Sequence, residues 1–430
     1  MKIRMVSLVL AIASGLAACG REAPAPASQA VATGLQPWNL PAPPGSGEPD
    51  LVATPRGRLV LTWLNTEQGR RSLLQYAELG VDGRWQGPLS IAVGNSFVAN
   101  AVDTPHVAIA DDRALWVQFL QHQPGGGYGV RLSTSRSGGM NWSDPIAVND
   151  DGVAAEHGFA ALWPAGGDRI GIAWLDGRDA GRQDEHEDMH AGEHHDDAHD
   201  GGHAHAGATA LRAAIFGPDL RRTGETVVDA RACDCCSTAV ARTDEGIVIA
   251  YRDRSDAEIR DIATVAFDGK QWSAPRPVHA DGWRMAGCPV NGPSIAANGA
   301  NVVVGWFTAA ADEPRVQVAR SIDGGAHFGV PLVLERGKQV DGRVAVALDG
   351  SNAWALWVRE EFGGSSLWLA RFTPDLSQER ERVKVATLKA RGGASGYPRL
   401  ALRDGTAFIA WTDTDGTLTR VQGARFVPKR

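Results

Sequence analysis

Val302-Val303-Val304-Gly305-Trp306 is a short apolar run that ends in an aromatic residue, and runs of this type recur along the chain. Their closing aromatic residues are Trp63, Phe119, Trp174, Tyr251, Trp306, Trp357 and Trp411. The intervals between these positions are 56, 55, 77, 55, 51 and 54 residues. The single long interval contains a histidine-rich insertion at 184–205, and without it the spacing is regular. The chain therefore carries an internal repeat.

This repeat is typical of an all-β chain folded as a β-propeller. Each unit of about 54 residues has room for four short strands, separated by Gly, Asp and Pro without helical periodicity. A third strand is expected after the aromatic residue, most clearly at 130–135 and 316–321. First strands are expected about eleven residues before it, at 105–110, 237–241, 293–297 and 343–347. Seven aromatic runs favour seven four-stranded blades over six.

Two turns after third strands carry a family resemblance. Ser321-Ile322-Asp323-Gly324-Gly325-Ala326-His327-Phe328 and Ser135-Arg136-Ser137-Gly138-Gly139-Met140-Asn141-Trp142 resemble Asp-boxes, the turn motif (BNR repeat) of sialidase-like β-propellers. The second turn has Ser137 in place of the Asp, and degenerate turns lie at 82–85 and 268–272. The resemblance implies a propeller fold, although the family's sialidases have six blades. It does not imply an activity, because the box is a folding turn.

One propeller accounts for residues 48–430. The length alone would allow two or three domains, but the repeat covers nearly the whole body. The last unit stops soon after its third strand, near Phe426. We expect segment 35–40 to supply the missing fourth strand and to close the ring, which removes exposed sheet edges.

The N-terminus predicts an exported lipoprotein. Lys2 and Arg4 precede a short apolar run, and residues 1–18 have the features of a signal peptide. Leu16-Ala17-Ala18-Cys19 resembles a bacterial lipobox, which implies lipid on Cys19 and attachment to a membrane. Residues 19–47 are rich in Ala and Pro and read as a tether. A glycine after the cysteine, here Gly20, resembles the sequence of lipoproteins that are sorted to the outer membrane. The protein is therefore expected at that membrane, facing the periplasm or the cell surface.

Four further cysteines lie in two connections between blades. Arg231-Ala232-Cys233-Asp234-Cys235-Cys236-Ser237 precedes one first strand, and Cys288 precedes the next. In a propeller, such connections share one face with the loops between second and third strands; we call it the top face. Equal spacing from the aromatic residues aligns Cys233 with Cys288 on neighbouring blades, and His157 with Asp234. The fold should therefore bring these side chains together.

The chemistry of the cysteine cluster has three interpretations. Soft sulfur ligands favour Cu(I) or Zn(II), so Cys233, Cys235, Cys236 and Cys288 predict a metal site, with His157 as a possible further ligand. Because exported proteins meet oxidising conditions, two structural disulfides are the second interpretation. Redox or catalytic use of the thiols is the third.

The histidine-rich insertion joins a second and a third strand and should leave from the same top face. It has eight carboxylates and no Lys or Arg, so the rest of the chain is close to neutral despite the net charge of −7. This distribution provides no basic patch for nucleic acid. Such tracts bind copper, zinc or nickel through imidazole, and the candidate ligands are His186, His190, His194, His195, His199, His203 and His205.

Two other functions compete with metal binding. A sialidase-like glycosidase would need a tyrosine nucleophile and an arginine cluster on the top face, and the candidates are Tyr397, Arg178, Arg252, Arg359 and Arg399. Acid–arginine loops of this kind also form ion pairs that hold loops together. The top face could instead bind a protein or a glycan without catalysis. We expect metal binding, with copper before zinc, collected by the histidine tract and retained by the cysteines.

Overall fold

The computed structural model describes residues 34–66, 71–110, 113–180, 208–390, 395–416 and 418–429. The predicted signal peptide at 1–18, the lipidation site Cys19 and the insertion at 184–205 lie outside the described residues. No helix in the described ranges is long and apolar enough to cross a membrane.

The described chain forms seven antiparallel sheets of four strands each, which are the blades of a β-propeller. The predicted all-β class and the predicted number of blades are therefore confirmed. Strands are numbered β1 to β28 in chain order, and six blades use four consecutive strands. A 3₁₀ turn lies at Ala310–Asp312.

The first three blades are β2 Ser46–Ala53, β3 Leu59–Asn65, β4 Ser72–Leu79 and β5 Trp85–Gly94; β6 His106–Ile109, β7 Leu115–His122, β8 Tyr128–Ser135 and β9 Ile146–Ala147; β10 His157–Pro164, β11 Ile170–Asp176, β12 Thr209–Phe216 and β13 Arg222–Ala232. The next three are β14 Ala239–Thr243, β15 Gly246–Arg252, β16 Ile262–Phe267 and β17 Arg276–Pro277; β18 Ser294–Asn298, β19 Asn301–Thr308, β20 Arg315–Ser321 and β21 Leu332–Arg336; β22 Val340–Leu348, β23 Ala353–Glu361, β24 Gly364–Phe372 and β25 Glu379–Leu388. The seventh blade is β26 Arg399–Arg403, β27 Thr406–Asp415, β28 Leu418–Phe426 and β1 Leu35–Pro37.

The apolar aromatic runs are the second strands of the seven blades, as predicted. Six of their aromatic residues are fully buried, and Trp411 is 7% exposed. Both faces of a second strand are covered by neighbouring blades, so β3 and β11 are buried at every position. This explains why these runs are continuously apolar and do not alternate with polar residues.

The chain ends close the ring. β1 pairs antiparallel with β28, with Leu35 opposite Phe426, so the N-terminal strand completes the last blade. Trp38 then stacks on Trp85 at 5.4 Å and meets Phe408 edge-on at 5.0 Å. Because Trp85 belongs to blade one and Phe408 to blade seven, this ring fastens the first and last blades together.

Side chains from a first strand and from the connections that precede first strands link neighbouring blades near the propeller axis. The Asp50 carboxylate accepts a hydrogen bond from the Val107 amide, and the Asp103 carboxylate accepts one from the Phe159 amide, at 3.0 and 2.7 Å. The Asn291 side-chain oxygen accepts from the Arg343 amide in the same way. Phe159 and Arg343 have positive φ, at bulges in β10 and β22. These bonds fix the relative positions of the connections between blades on the top face.

Candidate metal centre

The cysteine cluster lies in the connection between blades three and four. β13 ends at Ala232, and the Cys233 amide donates a 2.9 Å hydrogen bond to the Arg252 carbonyl at the end of β15. A bridge between Ala232 and Asp253 adds to this anchor. The connection is thereby held against the second strand of blade four.

All four cysteines of the described chain are free. The Cys233 sulfur lies 3.8 Å from the Cys235 sulfur and 3.5 Å from the Cys236 sulfur. A disulfide needs about 2.05 Å between the sulfurs, so these distances describe thiols in contact. The Sγ atoms of the three residues all lie within 4.8 Å of one another, which is compatible with binding one ion.

Exposure increases across the cluster. Cys233 is fully buried and Cys236 is 1% exposed, Cys235 is half-buried, and Cys288 is exposed. The repeat aligned Cys288 with Cys233; in the structure the Cys288 sulfur lies 3.5 Å from the Asp234 carboxylate. Asp234, Cys235 and Cys288 form a second group whose ligand atoms lie within 4.8 Å of one another. The two groups share Cys235.

A cavity of about 340 Å³ opens beside this second group. Asp234, Cys235 and Cys288 form one wall, and Tyr128 and Glu156 of blades two and three line it as well. Ala180 and Thr209, which lie on either side of residues 181–207, also line the cavity. Thus the described ends of the segment that contains the histidine tract lie at the cysteine site.

Arg260 supplies positive charge to the cluster. Its Nη1 atom lies 3.1 Å from the Cys233 sulfur and 3.6 Å from the Asp234 carboxylate. Its Nη2 atom donates to Glu258 at 2.9 Å, and its Nε atom donates to the Met285 carbonyl at 2.9 Å. The guanidinium is therefore fixed in position, and Arg260 as a whole is 3% exposed.

One thiol of the cluster is favoured as the thiolate. Hydrogen bonds from Cys235 and Cys236, together with Arg260, hold the pKa of Cys233 well below its usual range. The hydrogen bond to Cys233 raises the pKa of the Cys235 thiol, and burial raises the pKa of the Cys236 thiol. Within the cluster, the thiolate is thus favoured at Cys233 over Cys235 and Cys236.

The structure places His157 in a different group from the cysteines. His157 is fully buried, with Nδ1 3.4 Å from Asp176 and Nε2 3.9 Å from Asp151. The ligand atoms of Asp151, His157 and Asp176 lie within 4.8 Å of one another, in a group that contains none of the cysteines. Arg178 pairs with both carboxylates, at 2.7 Å and 3.2 Å. This arrangement is that of a buried ion-pair network.

The candidate glycosidase residues share no polar partner in the contacts of the described residues. Tyr397 is buried; its hydroxyl accepts from the Gly292 amide at 2.8 Å and donates to the Val290 carbonyl at 3.1 Å. Arg252 is 1% exposed and donates to the carbonyls of Asn291, Arg260 and Phe307. Its guanidinium also lies over a buried ring.

The other two candidate arginines are also engaged. Arg359 pairs with Glu335 at 3.1 Å, on a different blade from Arg252. Arg399 donates to the Pro49 carbonyl and to the Thr104 hydroxyl near the axis. These contacts, like the 2.8 Å pair of Arg254 with Glu258, match the interpretation of acid–arginine loops as structural ion pairs.

The sequence did not predict two contacts of the site, that of Arg260 with Cys233 and that of Asp234 with Cys288. Arg260 lies in the connection between β15 and β16, 27 positions after Cys233, and no motif links them. Asp234 stands between two cysteines but was aligned with His157 and not with Cys288. A charged residue flanking a thiol cluster was the available signal for Asp234, whereas Arg260 required the fold.

Comparisons with known proteins describe the fold. No family model and no curated protein sequence matches the chain. The crystal structure of a protein of unknown function from Dyadobacter fermentans DSM 18053 is similar with a TM-score of 0.50 and 13% identity, covering 92% of this chain and 100% of that one. Polysaccharide lyase Uly1 gives 0.47 and 9%, covering 89% of each chain. The phage phi92 endosialidase gives 0.44 and 10%, covering 80% of this chain and 71% of that one.

Proposed function

We propose that the protein binds a soft transition-metal ion, Cu(I) before Zn(II), at the cysteine cluster on its top face. The observation that carries the proposal is the set of three free sulfurs, from Cys233, Cys235 and Cys236, within 4.8 Å of one another. Thiolates bind soft ions in preference to hard ones. The surrounding blades hold the sulfurs in place before any ion arrives, which reduces the cost of ordering them.

The number of ligands favours copper. Structural zinc sites are almost always tetrahedral with four protein ligands. Within the described chain, the group around Cys233 contains three sulfurs, and His157 belongs to the separate group with Asp151 and Asp176. Three sulfurs suit a Cu(I) ion, which tolerates fewer ligands than zinc does.

The arginines beneath the cluster support an anionic metal–thiolate centre. Three thiolates around Cu(I) carry a net charge of −2, and burying such a charge without a partner is costly. Arg260 contacts the Cys233 sulfur directly. The buried Arg252 lies beside Arg260 and donates a hydrogen bond to its carbonyl. The charge needed by a metal–thiolate complex is therefore already present in the fold.

We also propose roles for two parts of the chain outside the described residues, the histidine-rich insertion and Cys19. The histidines at 184–205 would collect the ion weakly, and the cysteines would retain it. A lipid on Cys19 would hold the protein at the outer membrane. We infer an extracytoplasmic protein that sequesters or delivers metal; no contact within the described chain favours the glycosidase over this function.

A competition titration tests the proposal. Mature protein, reduced and kept free of oxygen, is titrated with Cu(I) against a chromophoric Cu(I) chelator, and free thiols are counted in parallel. Cys233→Ser should weaken Cu(I) binding by at least about a hundredfold, because loss of a ligand costs more than loss of an outer-shell partner. Deletion of 184–205 should leave the tight site intact. Unchanged affinity in Cys233→Ser, or protein without free thiols and without metal, would contradict the proposal.

A further inference from the structure

The cysteine cluster has two overlapping donor groups, not one. We propose, on the basis of the proposed function, that the site holds a second Cu(I) ion between Asp234, Cys235 and Cys288, with the Cys235 thiolate bridging it to the first. The inner position uses Cys233, Cys235 and Cys236. The outer position is a separate binding site on the same connection between blades.

Distances separate the two positions. The donor atoms of each trio lie within 4.8 Å of one another, but among the described residues no such group contains all four cysteines. One ion bound at the inner position therefore leaves Cys288 without a metal, unless the connection carrying Cys288 moves. Cys288 is instead next to Asp234, at 3.5 Å. A second ion would use both of these groups without any rearrangement of the inner trio.

Cys235 is suited to the bridging role. It is the only member of both trios in the described chain, and it lies between the fully buried Cys233 and the exposed Cys288. A thiolate sulfur has more than one lone pair and can bind two soft ions at once. Sharing it lowers the number of negative charges that the site must bury for each ion.

Arg260 connects the two positions electrostatically. One guanidinium nitrogen lies 3.1 Å from the Cys233 sulfur of the inner position and 3.6 Å from the Asp234 carboxylate of the outer position. Its positive charge therefore offsets part of the negative charge of both. Two Cu(I) ions with four thiolates and one carboxylate carry a net charge of −3, which this arginine reduces to −2.

Burial gives the two positions different access to solvent. The outer trio lines the cavity of about 340 Å³, whereas Cys233 and Cys236 of the inner trio are at most 1% exposed. An ion can then pass inward by ligand exchange while Cys235 stays bound: the bonds from Cu(I) to the Cys288 sulfur and the Asp234 carboxylate break as bonds to the Cys236 and Cys233 sulfurs form. Cys236 passes its proton to Cys288, Cys233 binds as the thiolate, Asp234 remains a carboxylate, and copper keeps its oxidation state. The outer ion should exchange quickly and the inner ion slowly.

The test compares Cys288→Ser with Cys236→Ser in the full mature protein. Both variants keep the histidine tract, so its contribution cancels in the comparison. Cu(I) is loaded without oxygen, the copper bound per chain is measured, and removal by a Cu(I) chelator is followed over time. Wild type should release one ion quickly and one slowly from the cluster. Cys288→Ser should bind one ion fewer and lose only the fast phase; Cys236→Ser should lose the slow phase.

The outcomes separate this inference from the proposed function. A wild-type cluster that binds one ion, with Cys288→Ser changing affinity but not stoichiometry, would overturn the second position and leave the proposed function standing. A wild-type cluster that binds no Cu(I) would overturn both. Because Cys288 is exposed, its replacement should leave the thermal midpoint of the metal-free protein unchanged, which checks that the variant is folded.

Discussion

Arg260 is the residue through which the fold acts on the cysteine chemistry. Its guanidinium contacts the Cys233 sulfur, and Glu258 and the Met285 carbonyl hold it in place. The positive charge favours the thiolate over the thiol. The fold thus places a positive charge where it stabilises the Cys233 thiolate.

Replacing this charge should change how Cys233 titrates. Arg260→Met should raise the pKa of the Cys233 thiol, so the thiolate absorbance of the reduced, metal-free protein develops at higher pH. Arg254→Met is the matched control, because Arg254 also pairs with Glu258, at 2.8 Å, but without a sulfur contact in the structure. Identical titration curves for Arg260→Met and wild type would refute the role of Arg260.

Asp103 is a second residue whose environment has a measurable consequence. It is 2% exposed; one carboxylate oxygen accepts from the Phe159 amide, and the other has no hydrogen-bond partner. Burial raises the pKa of Asp103 from 3.8 to about 7. The folded state therefore binds this proton more tightly than the unfolded state does.

The sign of the effect follows from linkage. A carboxyl group with a raised pKa in the folded state makes its full contribution below the unfolded pKa of 3.8 and loses it as the pH rises through about 7. The loss is on the order of a few kcal/mol. Asp103→Asn should remove this decline, as measured by urea unfolding at pH 5 and pH 8. Asp82→Asn changes an exposed turn residue and is the control, so its stability should fall between pH 5 and pH 8 as in wild type. If the stability of Asp103→Asn falls by the same amount, Asp103 is not the group responsible.

At the scale of elements, two turns between third and fourth strands are held by side chains that accept hydrogen bonds from backbone amides. In the turn after β8, the Ser135 hydroxyl accepts from the Gly139 amide at 2.8 Å, and Ser137 accepts from the Asn141 amide at 2.8 Å. In the turn after β20, Ser321 and Asp323 accept from the equivalent amides. Ser137 therefore accepts the same backbone hydrogen bond that Asp323 accepts in the turn after β20. This explains why a serine is tolerated in place of the aspartate in the turn after β8.

Two adjacent glycines in the turn after β8 separate backbone strain from packing. Gly138 and Gly139 both have positive φ, at 66° and 83°. A Cβ at Gly138 would meet nothing within 4 Å, whereas one at Gly139 would overlap the Tyr76 ring of blade one. Gly138→Ala should cost about 1 kcal/mol of unfolding free energy. Gly139→Ala should cost roughly 1–3 kcal/mol more, and equal losses in urea unfolding would contradict the packing role.

Sequence patterns predicted the elements unevenly. Second strands were identifiable because their apolar runs are long and end in a buried aromatic residue, and the closing strand β1 was inferred from the incomplete last unit. Apart from β1, no fourth strand was identified, and two of them, β9 and β17, have two residues each and present no periodic pattern. Their positions depend on pairing with the third strands and not on their own sequence.

At the scale of the whole molecule, the repeat placed the two cysteine connections on one face and on neighbouring blades. It could do so because a propeller repeats its geometry with its sequence. It could not show that Arg260 reaches Cys233 or that His157 turns toward Asp151 and Asp176, because such contacts depend on side-chain direction within loops. The ring therefore fixes the neighbourhood of the site, and individual contacts determine its chemistry.

We propose that sulfur holds the metal. X-ray absorption at the copper edge, measured on the full mature protein loaded with Cu(I) without oxygen, reports the ligand atoms directly. One equivalent of Cu(I) should show sulfur neighbours only, from Cys233, Cys235 and Cys236. Nitrogen neighbours without sulfur would place the ion in the histidine tract and contradict the claim.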